Sequence, residues 1–113
     1  MLVFSGAHAG WEKAFITDTA NHYIDPQSVE KVGNVRRIWT LQDLKSQGVR
    51  GERSMKALME YECDKERVRV VNATAHSGQM AAGDVVARVT KPASWTNIAP
   101  NSAFRTTLNF DCR

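Results

Sequence analysis

Residues 55–70 read MKALMEYECDKERVRV, which is the clearest strand–turn–strand pattern in the chain. Every second residue from Met55 to Cys63 belongs to one apolar stripe, whereas the positions between them are mainly polar. An alternation of period two is typical of a strand with one buried face. A polar turn follows at residues 64–65, and the chain returns from Arg67. The stretch therefore predicts a β-hairpin.

One pairing of the two strands satisfies both faces of this hairpin. It sets acidic against basic side chains on the outer face, and apolar against apolar side chains on the inner face. The expected pairs are Glu62 with Arg67, Glu60 with Arg69, Tyr61 with Val68, and Met59 with Val70. A slip of one residue would turn charged side chains toward the core, so this register is predicted over its neighbours.

Further β-prone segments, separated by turn residues, lie on both sides of the hairpin. They are residues 11–18, 22–25, 35–44 and 85–90, with turn signals at Pro26, Gly33, Asn34 and Pro92. Asn101 or Ser102 is placed to cap a C-terminal helix. A helix of about ten residues is marginal alone in water, so it must pack on other structure. The sequence predicts an α+β fold, with a single antiparallel β-sheet of about five or six strands and a C-terminal helix packed on it.

The sequence contains two cysteines, Cys63 in the hairpin and Cys112 at the end of the predicted helix. A single pair of this kind is typical of a disulfide in an oxidising compartment. A bond between Cys63 and Cys112 would tie the short helix to the sheet. The alternative is a pair of buried free thiols in a cytosolic protein.

Residues 1–9 read MLVFSGAHA and end in Ala7-His8-Ala9, a pattern of the kind that precedes signal-peptide cleavage. We expect residues 1–9 to be the remnant of a signal peptide, with a disordered N-terminus as the alternative, and residues 10–113 to form the domain. No stretch reaches the roughly 20 apolar residues of a membrane span, so no integral membrane segment is expected. No cysteine at or near Gly10 offers a site for lipid attachment.

Residue types that carry catalysis or bind metals do not occur in recognisable arrangements. His76 and Ser77 are adjacent, and neighbours on a strand point to opposite faces, which prevents a nucleophile–base pair. The three histidines and two cysteines lack the spacing of a zinc site. The sequence therefore predicts that the protein is not an enzyme and has no cofactor and no metal.

Four arginines form a candidate basic binding patch: Arg36, Arg37, Arg50 and Arg53. Such a patch could bind acidic polysaccharide, lipid head groups or nucleic acid, whereas the plainer interpretation is solvated charge on loops and on the outer face of the sheet. The formal net charge of +3 is slight, and strong nucleic-acid binders usually carry a clustered basic face. We therefore expect no nucleic acid partner.

Several landmarks follow one another along the chain in a distinctive order. They are Trp11, Tyr23-Ile24-Asp25, Ser28, Val35 to Leu41 with Trp39, Arg53-Ser54, Tyr61-Glu62-Cys63, Arg67 to Arg69, Gly83, Trp95 and Cys112. This order resembles the bacterial surface-adhesin protein E-like family over nearly the whole chain. The resemblance implies a secreted or surface domain whose C-terminal helix is tied to an antiparallel sheet by the cysteine pair. For the best-known adhesin of the family it also implies dimerisation and binding of host extracellular-matrix and plasma proteins.

Together these observations predict a non-catalytic exported bacterial protein of the periplasm, the cell surface or the secreted fraction. The leading hypothesis is an adhesin-like binding module whose partner is a protein, such as an extracellular-matrix or plasma protein, and which can form a homodimer. One alternative is a structural or assembly protein of the periplasm with no host ligand. A second alternative is a small-ligand carrier, which would need a deep pocket.

Overall fold

The computed structural model describes residues 10–112. The strands are β1 (Glu12–Ile16), β2 (Ala20–Ile24), β3 (Glu30–Val32), β4 (Val35–Leu44), β5 (Ser54–Glu62), β6 (Arg67–His76), β7 (Val85–Val89) and β8 (Thr96–Asn97). The helix α1 spans Ala103–Asp111, and short 3-10 turns lie at Pro26–Ser28 and Gln79–Ala81. Residues 1–9, where a signal-peptide remnant is expected, lie outside the described residues.

Within residues 10–112 the strands form one antiparallel sheet of eight strands, so the prediction of five or six is wrong. Six of them follow the order β1-β2-β4-β5-β6-β7, while β3 pairs with β4 and β8 pairs with β6. These two additional strands have three and two residues, too few for an alternation of side chains to be visible in the sequence. Because α1 has nine residues, the fold is mostly β rather than an even mixture.

Strands β5 and β6 form the predicted hairpin in the predicted register. Glu60 lies opposite Arg69, and Tyr61 lies opposite Val68. Beyond Met59 the pairing shifts by one residue of β6, which is a β-bulge. The register prediction is confirmed because the charged pairs on one face and the apolar pairs on the other select the same alignment.

The core lies between α1 and one face of the sheet. Tyr61 is its largest fully buried side chain, and it interacts with Thr107 on the helix. The apolar residues of the same cluster are Ile24, Ile38, Met59, Val68, Ile98 and Leu108. Burying one such side chain contributes roughly 1.5–3 kcal/mol. The helix face that carries Leu108 therefore holds α1 against the sheet.

A disulfide joins Cys63, directly after β5, to Cys112, directly after α1. The two Cα atoms are 5.7 Å apart, and the residues are separated by 49 positions. The predicted bond is confirmed. A nine-residue helix that would be marginal alone thus has two attachments to the sheet, one apolar and one covalent.

Candidate binding face

The face of the sheet opposite α1 carries a group of charged and aromatic side chains. Side chains alternate between the two faces of a strand, so the register of β4, β5 and β6 decides which residues share this face. Arg37, Glu60 and Arg69 lie directly opposite one another in one row, and Trp39 lies in the next. We call the following set the cationic–aromatic face: Arg37, Trp39, Lys56, Glu60, Glu62, Arg67, Arg69 and Trp95.

Glu60 lies at the centre of this face and holds two arginines from the neighbouring strands. Arg37 Nε donates a hydrogen bond of 2.6 Å to Glu60 Oε2, and Arg69 Nε donates one of 2.7 Å to Oε1. The Glu60 side chain is 5% exposed, against 38% for Arg37 and 29% for Arg69. Burial raises the pKa of Glu60, but the hydrogen bonds and charges of the two arginines outweigh it and hold the pKa below its usual value. The carboxylate thus positions both guanidinium groups without cancelling both charges.

Trp95 covers the two arginines of β6. Its ring centroid lies 4.5 Å from the guanidinium carbon of Arg69 and 5.3 Å from that of Arg67. Arg67 is itself anchored, because its Nε donates a 2.9 Å hydrogen bond to Glu62 Oε1. The segment that carries Trp95 is held by the pairing of β8 with β6. A cation over an indole ring contributes roughly 0.5–1 kcal/mol at exposed sites, so these contacts help to hold the segment in place.

Trp39 provides a second indole on the same face. The Lys56 ammonium lies 5.3 Å from the centroid of the Trp39 ring, and the Trp39 backbone N–H donates a 3.0 Å hydrogen bond to Ser28 Oγ. Tryptophan and arginine are enriched among the residues that dominate protein–protein binding energy. A face that combines indoles with an excess of cations suits an acidic protein surface better than it suits an apolar ligand.

The loop between β6 and β7 covers one end of this face of the sheet. Ser54 is fully buried there. Its Oγ donates to the Gly78 carbonyl at 2.6 Å and accepts from the Ala81 backbone N–H at 2.8 Å. His76 lies opposite Ser54, but the serine hydroxyl is already donated to a carbonyl. The two residues are therefore not arranged as a nucleophile and its base.

The structure distributes the four arginines of the candidate basic patch over different parts of the molecule. Arg36 and Arg37 are neighbours on β4 and point to opposite faces. Arg50 and Arg53 are exposed residues between β4 and β5, roughly 20 Å from Arg37 at a strand rise of about 3.3 Å per residue. Of the four, Arg37 belongs to the cationic–aromatic face. The binding of an acidic ligand by these arginines stays a prediction.

Trp95 and Glu60 acquire their roles only through tertiary contacts. Trp95 follows Pro92 in a stretch without periodicity, so no sequence signal places its ring over β6. Glu60 belongs to the polar stripe of the hairpin, which predicts a solvated side chain, and yet the structure buries it. The pairing with Arg69 was visible in the hairpin pattern, whereas the contact with Arg37 depends on the pairing of β4 with β5.

Residues 10–112 contain neither a metal-ligand cluster nor a helix that could span a membrane. In this part of the chain, no group of three or more His, Cys, Asp or Glu side chains is arranged to hold a metal ion. The described helices also lack the length and the apolar composition needed to cross a lipid bilayer.

Comparisons with known proteins agree with this fold. The sequence matches the family model described as surface-adhesin protein E over residues 11–113. No curated protein matches it significantly. The structure is similar to crystal form II of Haemophilus influenzae protein E, with a TM-score of 0.70, 13% identity, and coverage of 99% of this chain and 94% of that chain. For the selenomethionine form of that protein the TM-score is 0.72, at 13% identity and coverage of 99% and 92%. The resemblance indicated by the landmarks is confirmed, and the chain belongs to the surface-adhesin protein E family.

Proposed function

We propose that this chain is an exported, non-catalytic binding module of the bacterial cell surface, periplasm or secreted fraction, and that its partner is a protein. Membership of the surface-adhesin protein E family supports the adhesin-like role and the surface location. The disulfide supports export, because such bonds persist in oxidising compartments and are rare in the cytosol. The proposed partner is an extracellular-matrix or plasma protein.

The cationic–aromatic face carries this proposal. It sets Trp39 and Trp95 on one side of the sheet together with two guanidinium groups that Glu60 holds in place. Side chains that are already ordered lose little freedom on binding, and this preorganisation favours affinity. The excess of positive charge would attract an acidic partner surface and raise the association rate. We therefore assign partner binding to this face.

The test is a binding panel of immobilised extracellular-matrix proteins, plasma proteins and glycans. It is probed with the native domain and with two variants of the face, Trp39→Ala and Lys56→Gln, whose folding is checked by thermal melting. Val49→Ser is the control, because Val49 is 99% exposed between β4 and β5 and lies outside the face. Saturable binding to a protein that both face variants weaken, and the control does not, supports the proposal.

Two other results of the panel would count against it. Saturable binding that neither face variant changes would place the partner surface elsewhere. Binding to no member of the panel would favour the alternative of a periplasmic assembly protein with no host ligand.

Self-association has separate structural support in β7. In the described part of the chain, β7 pairs with β6 along one edge and has no strand partner along the other. Val85, Val86 and Val89 are exposed on it, and an unprotected edge rich in β-branched residues favours pairing with another strand. We propose that two copies join through β7. In sedimentation, Val86→Lys should be monomeric where the native domain is dimeric, and a native domain that is monomeric at every concentration would refute the dimer.

A further inference from the structure

The apolar face of the sheet that carries α1 is only partly covered by the helix. Leu108 packs into the core cluster with Tyr61, whereas the region beside the start of the helix is an open depression of about 250 Å³. Phe104 and Thr107 border this depression from the helix side. Phe104 is 44% exposed, so the first turn of α1 leaves an aromatic ring at the rim.

Four alanines form the floor of this depression and of its continuation along the sheet. Ala57 lies directly opposite Ala73, and Ala75 lies directly opposite Ala87, on β5, β6 and β7. Because the alanine side chain is a single methyl group, four of them together leave a low apolar floor between taller neighbours. We call this depression, with its continuation, the alanine trough.

The walls of the alanine trough are apolar and aromatic. Phe15 stacks on His22 on the β1–β2 side, with ring centroids 4.3 Å apart. Burial lowers the pKa of His22, so its ring is neutral at pH 7. Met55 and Met59 lie beside the alanines, and methionine side chains are flexible and adapt to the shape of what they contact. Such walls suit a hydrocarbon chain.

One end of the alanine trough carries a cation. Met55 and Ala73 also border a second depression of about 300 Å³, whose charged lining residues are Arg50, Glu52 and Arg88. The Glu52 carboxylate accepts a 2.9 Å hydrogen bond from the Arg50 backbone N–H, which holds it to its own loop. Among the described residues, the Arg50 guanidinium forms no ion pair. An anionic group at this end would therefore meet a cation that is available to bind it.

The length of the alanine trough distinguishes between classes of ligand. The two depressions run from β2 through β4, β5 and β6 to β7, which is roughly 19 Å at a strand spacing of about 4.8 Å. Together they reach the size of ordinary small-molecule sites. A long, narrow, apolar site with a cation at one end fits an extended amphiphile rather than a compact ring.

We propose that the alanine trough binds a long-chain fatty acid, with its hydrocarbon chain over the four alanines and its carboxylate at Arg50. The carboxylate forms an ion pair with the Arg50 guanidinium, which has none among the described residues. The hydrocarbon chain covers the apolar surface that α1 leaves open. This site lies on the opposite side of the sheet from the cationic–aromatic face. It is therefore independent of the proposed protein partner.

The test uses the domain with its disulfide intact and the fluorescent fatty acid cis-parinaric acid as the bound probe. Sodium laurate, kept below its micelle concentration, should displace the probe saturably. The uncharged 1-dodecanol should displace it about tenfold less well, because it offers no carboxylate to Arg50.

Variants test the two parts of the site separately. Ala73→Leu and Ala87→Leu each fill the floor and should weaken laurate binding about tenfold. Arg50→Gln should weaken laurate binding about threefold to tenfold and leave dodecanol unaffected. Asn72→Leu is the control, because Asn72 is next to Ala73 on β6 but lies opposite Leu58, on the other face of the sheet. It should bind laurate like the native domain.

Four results would overturn the proposal. Failure of laurate to displace the probe would remove the site. Full laurate affinity in both filling variants, when circular dichroism shows them to be folded, would remove it as well. Equal displacement by laurate and dodecanol, with no effect of Arg50→Gln, removes the carboxylate assignment. Binding to phosphatidylglycerol vesicles that both filling variants retain, without laurate binding, would indicate a membrane surface as the ligand instead.

Discussion

Cys112 directly follows the helix α1 and is bonded to Cys63, which directly follows β5, so the end of the helix is fixed against the turn of the hairpin. The bonded residues are separated by 49 positions. Closing a loop of this length contributes up to about 4 kcal/mol in the chain-entropy account of disulfides. The nine-residue helix depends on this bond more than the sheet does, because the strands are held by their own ladders.

Replacing both cysteines, as Cys63→Ser with Cys112→Ser, should release α1 before the sheet unfolds. The reason is that a helix of this length is marginal without a covalent attachment. Hydrogen exchange read by mass spectrometry should show lost protection in residues 103–111 and retained protection in β5 and β6 well below the melting midpoint. Simultaneous loss in both regions, at the midpoint of the native protein, would contradict this expectation.

Asp111 carries an unfavourable charge at the same end of the helix. Its side chain is buried, at 4% exposure for the residue, and both carboxylate oxygens lack a hydrogen-bond partner among the described residues. Burial raises the pKa of Asp111 to about 6, while the charge of Arg36 acts in the opposite direction. The ionised carboxylate therefore destabilises the folded state.

Asp111→Asn should raise the free energy of unfolding at pH 7 by about 1–2 kcal/mol, a figure reduced for solvent screening. Because the pKa of Asp111 is higher in the folded state, the folded protein binds the proton more tightly than the unfolded protein does. The cost of the charge is absent below about pH 4, grows between about pH 4 and 6, and is complete above that range. Urea unfolding should show the gain at pH 7 and almost none at pH 4. An equal gain at both pH values would refute the role of the charge.

Glu60→Gln should destabilise the protein by about 1–3 kcal/mol, because the neutral amide leaves two guanidinium groups without their shared carboxylate. Glu62→Gln is the matched control. Among the described residues Glu62 pairs with one arginine, Arg67, and it is more exposed than Glu60, so its loss should cost less than about 1 kcal/mol. Denaturant unfolding at pH 7 measures both, and equal losses would contradict the central role of Glu60.

The effect of Glu60 should also depend on pH, in the direction opposite to that of Asp111. Its pKa is held below the usual value in the folded protein. The ionised Glu60 carboxylate therefore contributes fully to the free energy of unfolding above about pH 4.5. This contribution is lost as the pH falls through the pKa of Glu60 in the folded protein. The difference between the native protein and Glu60→Gln should narrow in acid.

Neutralising the four arginines of the candidate patch should change heparin binding only modestly. Arg50 and Arg53 lie near the far end of β4, roughly 20 Å from Arg37 at about 3.3 Å per residue. This separation exceeds the Debye length of about 8 Å at physiological salt. For the variant with all four arginines neutralised, the salt concentration needed for elution from heparin should fall by the sum of the decreases measured for the single variants. Complete loss of heparin binding at physiological salt would show that the four act as one site.

The hairpin, its register and the pairing of the cysteines could be predicted from the amino-acid sequence. The residues of β5 and β6 lie close along the chain, and a one-residue slip would move charges such as Glu60 to the core face, so local patterning was sufficient. With two cysteines in the chain there was one intramolecular pairing to consider. The C-terminal helix was predictable as well, because Asn101 or Ser102 is placed to cap it and Phe104 and Leu108 are spaced at i and i+4.

Tertiary structure alone decided the count of strands, the burial of Glu60 and the alanine trough. Strands as short as β3 and β8 form because longer neighbours offer them free edges, and two or three residues carry no periodicity of their own. Glu60 is buried because β4 brings Arg37 to its second oxygen. The trough exists because pairing gathers Ala57, Ala73 and Ala87 from three strands while α1 ends over the other half of the core. Contacts of this kind join residues far apart in the chain, and local alternation contains no information about them.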